Sequence, residues 1–162
     1  MDRNIKIAWL FPSLERGCYW QPVLREFCAV FPESIVFTGV WPGFIPGYQD
    51  SFCIRICGKT TFLKTKRRKN GYDRAIILPS LTLIKHLKKF KPDVIFTSAF
   101  SLWSLISIFF KIFRKLKVVI VYEGSSPSVD MKDSFSRLIF RKIMARFSNG
   151  LITCLLYTSP SP

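Results

Sequence analysis

Apolar residues along this chain recur in two rhythms. Ile5 to Phe11 (IKIAWLF) is a short continuous run, followed by the loop PSLERG and then YWQPVLREFCAVF, where Val23, Leu24, Phe27 and Val30 recur at helical spacing. The pattern predicts a strand, a loop and a helix. Pro22 falls near the helix start, where its missing N–H costs little, and Pro32 closes it. SIVFTGV predicts a second strand, WPGFIPGYQD breaks into turns at its Pro and Gly residues, and FCIRIC predicts a third strand. The stretch 58–71 then carries Lys59, Lys64, Lys66, Arg67, Arg68 and Lys69 with no acid, the composition of a solvated loop. PSLTLIKHLKKFKPD predicts a helix capped by Ser80, with Leu81, Ile84 and Leu87 as its core face. Lys88, Lys89 and Lys91 suit the negative end of its dipole, and Pro92 ends it.

Beyond that point the alternation is clearest: DVIFTSA as strand, SLWSLISIFFKIFRKL as helix, KVVIVYEG as strand, DSFSRLIFRKIMARFSNG as helix and LIT as strand. Strands alternating with helices of this length predict an α/β fold, a Rossmann-like parallel sheet with helices on both faces. Val118 to Tyr122 (VVIVY) suits a central strand, apolar on both sides. No repeat or linker divides the chain, which predicts one domain over 1–154. The residues 155–162, closing on YTSPSP, are polar, proline-bearing and without period, and read as a non-native or disordered tail.

Composition narrows the classes. With 162 residues and 49% hydrophobic positions, the chain is long and apolar enough for one proper core. Five cysteines without a CxxC pair and a single histidine, His86, form no zinc constellation, so buried reduced thiols in a cytosolic protein are the expectation. The start, MDRNIKIAWLFP, is a poor signal peptide. The longest uncharged run, Val94 to Phe110, holds Thr97, Ser98, Ser101, Ser104 and Ser107 and reads better as strand plus helix than as a membrane span. The formal charge of +15 is lopsided: residues 1–50 hold four basic and five acidic residues, residues 51–162 hold 21 and five. An anionic partner follows, whether nucleic acid, acidic headgroups or a phosphate-bearing substrate.

Ligands of an open parallel sheet bind beyond the C-terminal ends of its strands. The loops there read PSLERGCYW, TSAFS and EGSSPS, rich in small and hydroxyl residues. No GxGxxG follows the first strand and no GxxxxGK[ST] occurs, which argues against a simple dehydrogenase or a P-loop NTPase. His86 on a lysine-rich helix, without GxSxG, leaves no Ser-His-Asp hydrolase. An acid or base must then be a carboxylate: Glu15, Asp130 or, best, Glu123, which directly follows the most apolar strand. Two helices suggest a surface role. In 100–115 the residues Ser101, Ser104, Ser107, Lys111 and Arg114 form one stripe beside a wide apolar arc. In 134–147 Phe135, Leu138, Ile139, Ile143 and Met144 face one way, and Arg137, Arg141, Lys142 and Arg146 the other. That pattern suits either a helix packed on the sheet or one lying on an anionic membrane.

The segments KIAWLFPSLERGCYWQPVLREF, KPDVIFTSAF, KVVIVYEG and SNGLITC, in that order, resemble the N-terminal domain of a family 4-like glycosyltransferase of the GT-B fold. The resemblance implies the acceptor-binding half of an enzyme whose second domain holds a nucleotide-sugar donor, with no cofactor bound by this half. It implies acceptor contacts from Ser13, Gly17, Tyr19, Ser98, Gly124 and Ser125, catalysis involving Glu123, and a cell-envelope or lipid-linked glycan acceptor. The first loop has Gly17 alone where relatives usually carry two glycines, and Glu123 stands where many have His. Lys66, Arg67, Arg68, Arg137, Arg141 and Lys142 are the expected contacts to an anionic membrane, which would place the protein in the cytoplasm or peripherally on the inner face of the cytoplasmic membrane. The competing reading is a basic α/β module for nucleic acid or anionic membrane without catalysis. Under the first reading, CLLYTSPSP resembles translated adaptor sequence, the native record breaks near Thr153 or Cys154, and the half enzyme is expected to be inactive alone.

Overall fold

A computed structural model describes residues 5–14, 19–57, 62–64, 75–123 and 135–154; a few of these, Glu123 and Arg137 among them, are described by backbone alone. The main sheet has six strands: β1 (Ile7–Ser13), β2 (Ser34–Val40), β3 (Cys53–Ile56), β6 (Val94–Ser98), β7 (Lys117–Glu123) and β8 (Gly150–Cys154). Their order is β3-β2-β1-β6-β7-β8, and every pairing is parallel. The fold is therefore the α/β, Rossmann-like one that the alternation predicted. Two further strands, β4 (Phe62–Lys64) and β5 (Ala75–Ile77), pair as a separate antiparallel ribbon. The basic stretch expected as loop thus contributes one strand, which three residues among so many lysines do not announce.

The described residues also form four helices: α1 (Trp20–Val30), α2 (Leu81–Phe90), α3 (Leu102–Phe113) and α4 (Phe135–Phe147). The strand side chains divide by parity into two cores. On one face Trp9, Phe11, Val36 and Val121 pack with Trp20 and Leu24 of α1. On the other, Ala8, Leu10, Phe37, Ile95, Val118 and Ile120 pack with side chains of α2, α3 and α4. Residues 41–52, between β2 and β3, form no helix. Trp41, Phe44 and Phe52 stack edge-on there and cover the sheet in a helix's place.

The core faces of all four helices differ from those the spacing suggested. On α1 the buried residues are Trp20, Gln21 and Leu24, while Val23 and Val30 are exposed. The helix is turned so that its aromatic side meets Trp9 and Phe96, which maximises ring contact. On α2 Leu83 and Leu87 are buried, Ile84 is partly so, and Leu81, in the first turn, stands out in solvent. Ser80 caps this helix as expected, accepting from the Thr82 N–H. Lys91 follows its last turn in the left-handed region at φ 53.

On α3 the serine stripe belongs to the buried face, with Trp103, Ile108 and Phe110 beside it. Ser104 and Ser107 have no exposed surface, and Trp103 beside them is equally buried, whereas Leu102, Leu105, Phe109, Ile112 and Phe113 are exposed. Small side chains let the helix lie close on β6 and β7. Their hydroxyls are satisfied: Ser104 Oγ shares a hydrogen bond with Thr97 Oγ1 at 2.9 Å and donates to the Ala99 carbonyl, and Ser107 Oγ donates to Trp103 O at 2.9 Å. The Trp103 indole N–H reaches Ile77 O at 3.2 Å. On α4, among the described side chains, only Met144 is fully buried and Phe140 is partly so; Phe135, Leu138, Ile139, Ile143 and Phe147 are exposed. Most of the arc expected to face the sheet therefore faces solvent.

Among the described cysteines, Cys57 is buried, Cys28 half-buried and Cys53 exposed, which corrects the expectation for Cys53. Burial pushes the Cys28 thiol up and the Cys57 thiol up to about 11. Since the folded value of Cys57 lies above its ordinary 9.0, its contribution to stability is full below pH 9.0 and is lost as pH rises toward about 11. At about pH 8, iodoacetamide should alkylate Cys53 well before Cys57. Peptide mass mapping would show equal rates if the burial of Cys57 were wrong.

Candidate functional site

The strand order puts β1 and β6 side by side at the centre of the sheet. The helix leaving β1 packs on one face and the helix leaving β6 on the other. The chain therefore leaves the two strands toward opposite faces at the C-terminal edge, where parallel sheets bind ligands in a crevice. Parallel registry fixes which residues arrive there. Leu10 lies opposite Thr97, and Thr97 opposite Ile120. Counted outward from that level, Ser13 ends β1 and Glu123 ends β7 at the same height, two strand spacings or about 10 Å apart. Ser98 ends β6 between them, opposite Val121.

The local chain shapes this edge. After β6 the backbone turns at Ala99, a non-glycine residue at φ 57, whose N–H donates to Val121 O at 2.8 Å. The turn carries the chain into α3, where Ser101 caps the helix by accepting from the Ser104 N–H. Ser98 contributes its carbonyl here, accepting from Ser101 Oγ at 3.3 Å. On the other flank Tyr19 stands at the N-terminus of α1, exposed, with its ring 5.9 Å from Trp20.

Gln21 escaped the sequence reading. Its side chain is 1% exposed, donates to Gly43 O at 3.1 Å and accepts from the Ile45 N–H at 2.9 Å. It ties the start of α1 to the loop leaving β2. The only signal for it was the need of a Pro- and Gly-rich loop for hydrogen-bond partners outside itself.

Arg141 belongs to this region more than to an outer surface. Its guanidinium lies 5.9 Å from the Phe100 ring and 5.6 Å from the Tyr122 ring, and those rings are 5.2 Å apart. The cation is thus held against two aromatic faces at the end of β7, one residue before Glu123. Lys142, its neighbour, is exposed, and Arg137 lies in the first turn of α4. Ser13, Tyr19, Ser98 and Glu123 are brought to one edge. Gly17, Gly124, Ser125, Lys66, Arg67 and Arg68 lie outside the described residues. His86 is on α2, with its ring 6.3 Å from Phe37.

The class these features define is a Rossmann-like α/β domain in which three neighbouring strands end at one edge in Ser13, Ser98 and Glu123. Compared with known proteins, the sequence matches no family model, and no curated protein is significantly similar to it. Among the described residues no helix is long and apolar enough to cross a membrane.

Proposed function

We propose that the chain is the acceptor-binding half of a glycosyltransferase, which moves a sugar from a nucleotide-sugar donor to a cell-envelope or lipid-linked glycan. The observation that carries this reading is the pairing of a dinucleotide-type strand order with a first loop that lacks the glycine clamp for pyrophosphate. A crevice of that kind, lined with Ser13, Ser98 and Tyr19, suits a polyhydroxylated ligand better than a dinucleotide. The donor belongs to a second domain, and this half contributes no cofactor. In this reading the Glu123 carboxylate orients the acceptor hydroxyl and draws off its proton, and Gly17, Gly124 and Ser125 contribute acceptor contacts.

The test is turnover of nucleotide sugars by the protein carrying a donor-binding domain. Glu123→Gln is expected to lower kcat by about 100-fold with the KM for donor unchanged. A fully active Glu123→Gln protein, or one with no nucleotide-sugar turnover before substitution, would sink the reading.

A further inference from the structure

We infer that the α3–α4 face is a docking surface for an anionic lipid bilayer. The inference stands apart from the glycosyltransferase reading and rests on the exposed face alone. Phe109 and Phe113 on α3 are 61% and 71% exposed and stack on each other in solvent, ring centroids 4.9 Å apart. Ile112 beside them is 66% exposed. On α4, Ile139, Ile143 and Phe147 recur every four residues, and each is 40% to 51% exposed. The two helices meet at their C-terminal turns, where Lys111 Nζ donates to the Phe147 carbonyl at 2.8 Å, so their apolar stripes border one another. Apolar surface of this extent on two adjacent helices marks an interaction site.

Charge decides the occupant. The rim carries Arg114, Lys115, Lys142 and Arg146, all exposed. No Asp or Glu occurs from Val94 to Tyr122, nor from Ser134 to the end of the chain. Aromatic and branched aliphatic side chains ringed by cations of one sign fit the headgroup boundary of an anionic bilayer: the rings enter the acyl boundary and the cations meet lipid phosphates. A protein partner of matching area would need an equally extended acidic rim around an apolar centre. The serine stripe explains why the face exists. Because Ser104 and Ser107 share the sheet contact with Trp103, Ile108 and Phe110, the remaining bulky residues Leu105, Phe109, Ile112 and Phe113 are left for another surface.

The chain is mixed with vesicles of phosphatidylcholine alone and with about one-third phosphatidylglycerol, and binding is read by co-sedimentation. Binding to the anionic vesicles is expected, falling about tenfold or more in 0.5 M salt or on neutral vesicles. Soluble glycerol phosphate should not compete. F109S/F113S should weaken binding at least about tenfold, and K142E/R146E comparably. All four positions are exposed, so circular dichroism should show both variants folded. As a readout that needs no variant, vesicles should protect amides of 105–113 and 135–147 from exchange and leave α1 unchanged. Equal binding to neutral vesicles, no binding, or an unaffected F109S/F113S protein would overturn the inference. So would a concentration-dependent dimer abolished by F109S/F113S without vesicle binding, which would give the face to a second copy.

Discussion

Ser104→Lys is expected to abolish the native fold, whereas Phe109→Lys, five residues along the same helix, is expected to leave stability within about 0.5 kcal/mol of the parent. A helical wheel coloured by residue type predicts the reverse. Ser104 has no exposed surface, and its hydroxyl bridges Thr97 of β6 and the carbonyl of Ala99. A lysine there must bury an unpaired ammonium or push α3 off the sheet, and either costs several kcal/mol, much of the total stability of a domain this size. Even Ser104→Ala, which adds no volume, should cost about 1–3 kcal/mol by orphaning Thr97 Oγ1. Phe109 meets only Phe113 and solvent on its outer side. Urea unfolding of the three variants would settle the orientation. If Ser104→Lys proved no worse than Phe109→Lys, α3 would have to be rotated by half a turn.

Trp9→Ala should destabilise the domain by about 3–5 kcal/mol, the range for deleting a large buried aromatic side chain. Trp9 is 4% exposed and is the hub of the α1 face. Its ring stacks on Phe96 at 4.4 Å and Phe11 at 5.8 Å, and meets Phe27 edge-on at 5.0 Å and Trp20 at 5.8 Å. Those partners come from β1, β6 and α1, so its loss loosens three elements at once. Trp9→Phe is the informative companion. The Trp9 indole N–H is buried with no hydrogen-bond partner, and removing it relieves a desolvation cost of about 1–3 kcal/mol that offsets much of the lost ring contact. Trp103→Phe has no such relief, because that N–H is bonded to Ile77 O. Chemical denaturation should therefore place Trp9→Phe closer to the parent than Trp103→Phe.

The element order was legible because strands and helices alternate at lengths that only a parallel sheet accommodates, and β2 runs over the residues of SIVFTGV without adjustment. Helix facing was legible only where apolarity and burial coincide. On α3 they diverge, since the close approach of helix to sheet selects for size and local bonding rather than for hydrophobicity. On α4 the basic residues are dispersed enough to suggest a neat division, yet Arg141 turns inward to two aromatic rings that lie 19 and 41 residues away in sequence. The location of the ligand edge followed from strand polarity. The common height of Ser13 and Glu123 did not, because it depends on registry across β6, which turn lengths and packing set jointly. Gln21 was invisible for a related reason: its partners are backbone groups of a loop with no pattern of its own.

The central position of β1 has a consequence for how the protein is made. One neighbour, β2, follows within a few tens of residues, but the other is β6. Lys6 and Asp93 exchange backbone and side-chain hydrogen bonds at the base of that pairing, across 87 residues of sequence. At a synthesis rate of about 5–20 residues per second, the first strand waits roughly 5–20 s for its partner to be made. Through that interval Trp9, Phe11 and Leu10 have only half a sheet to shelter them, and closing the gap is the non-local step that topology makes slow. A chaperone that holds nascent chains would find an apolar target in β1 until β6 has been made.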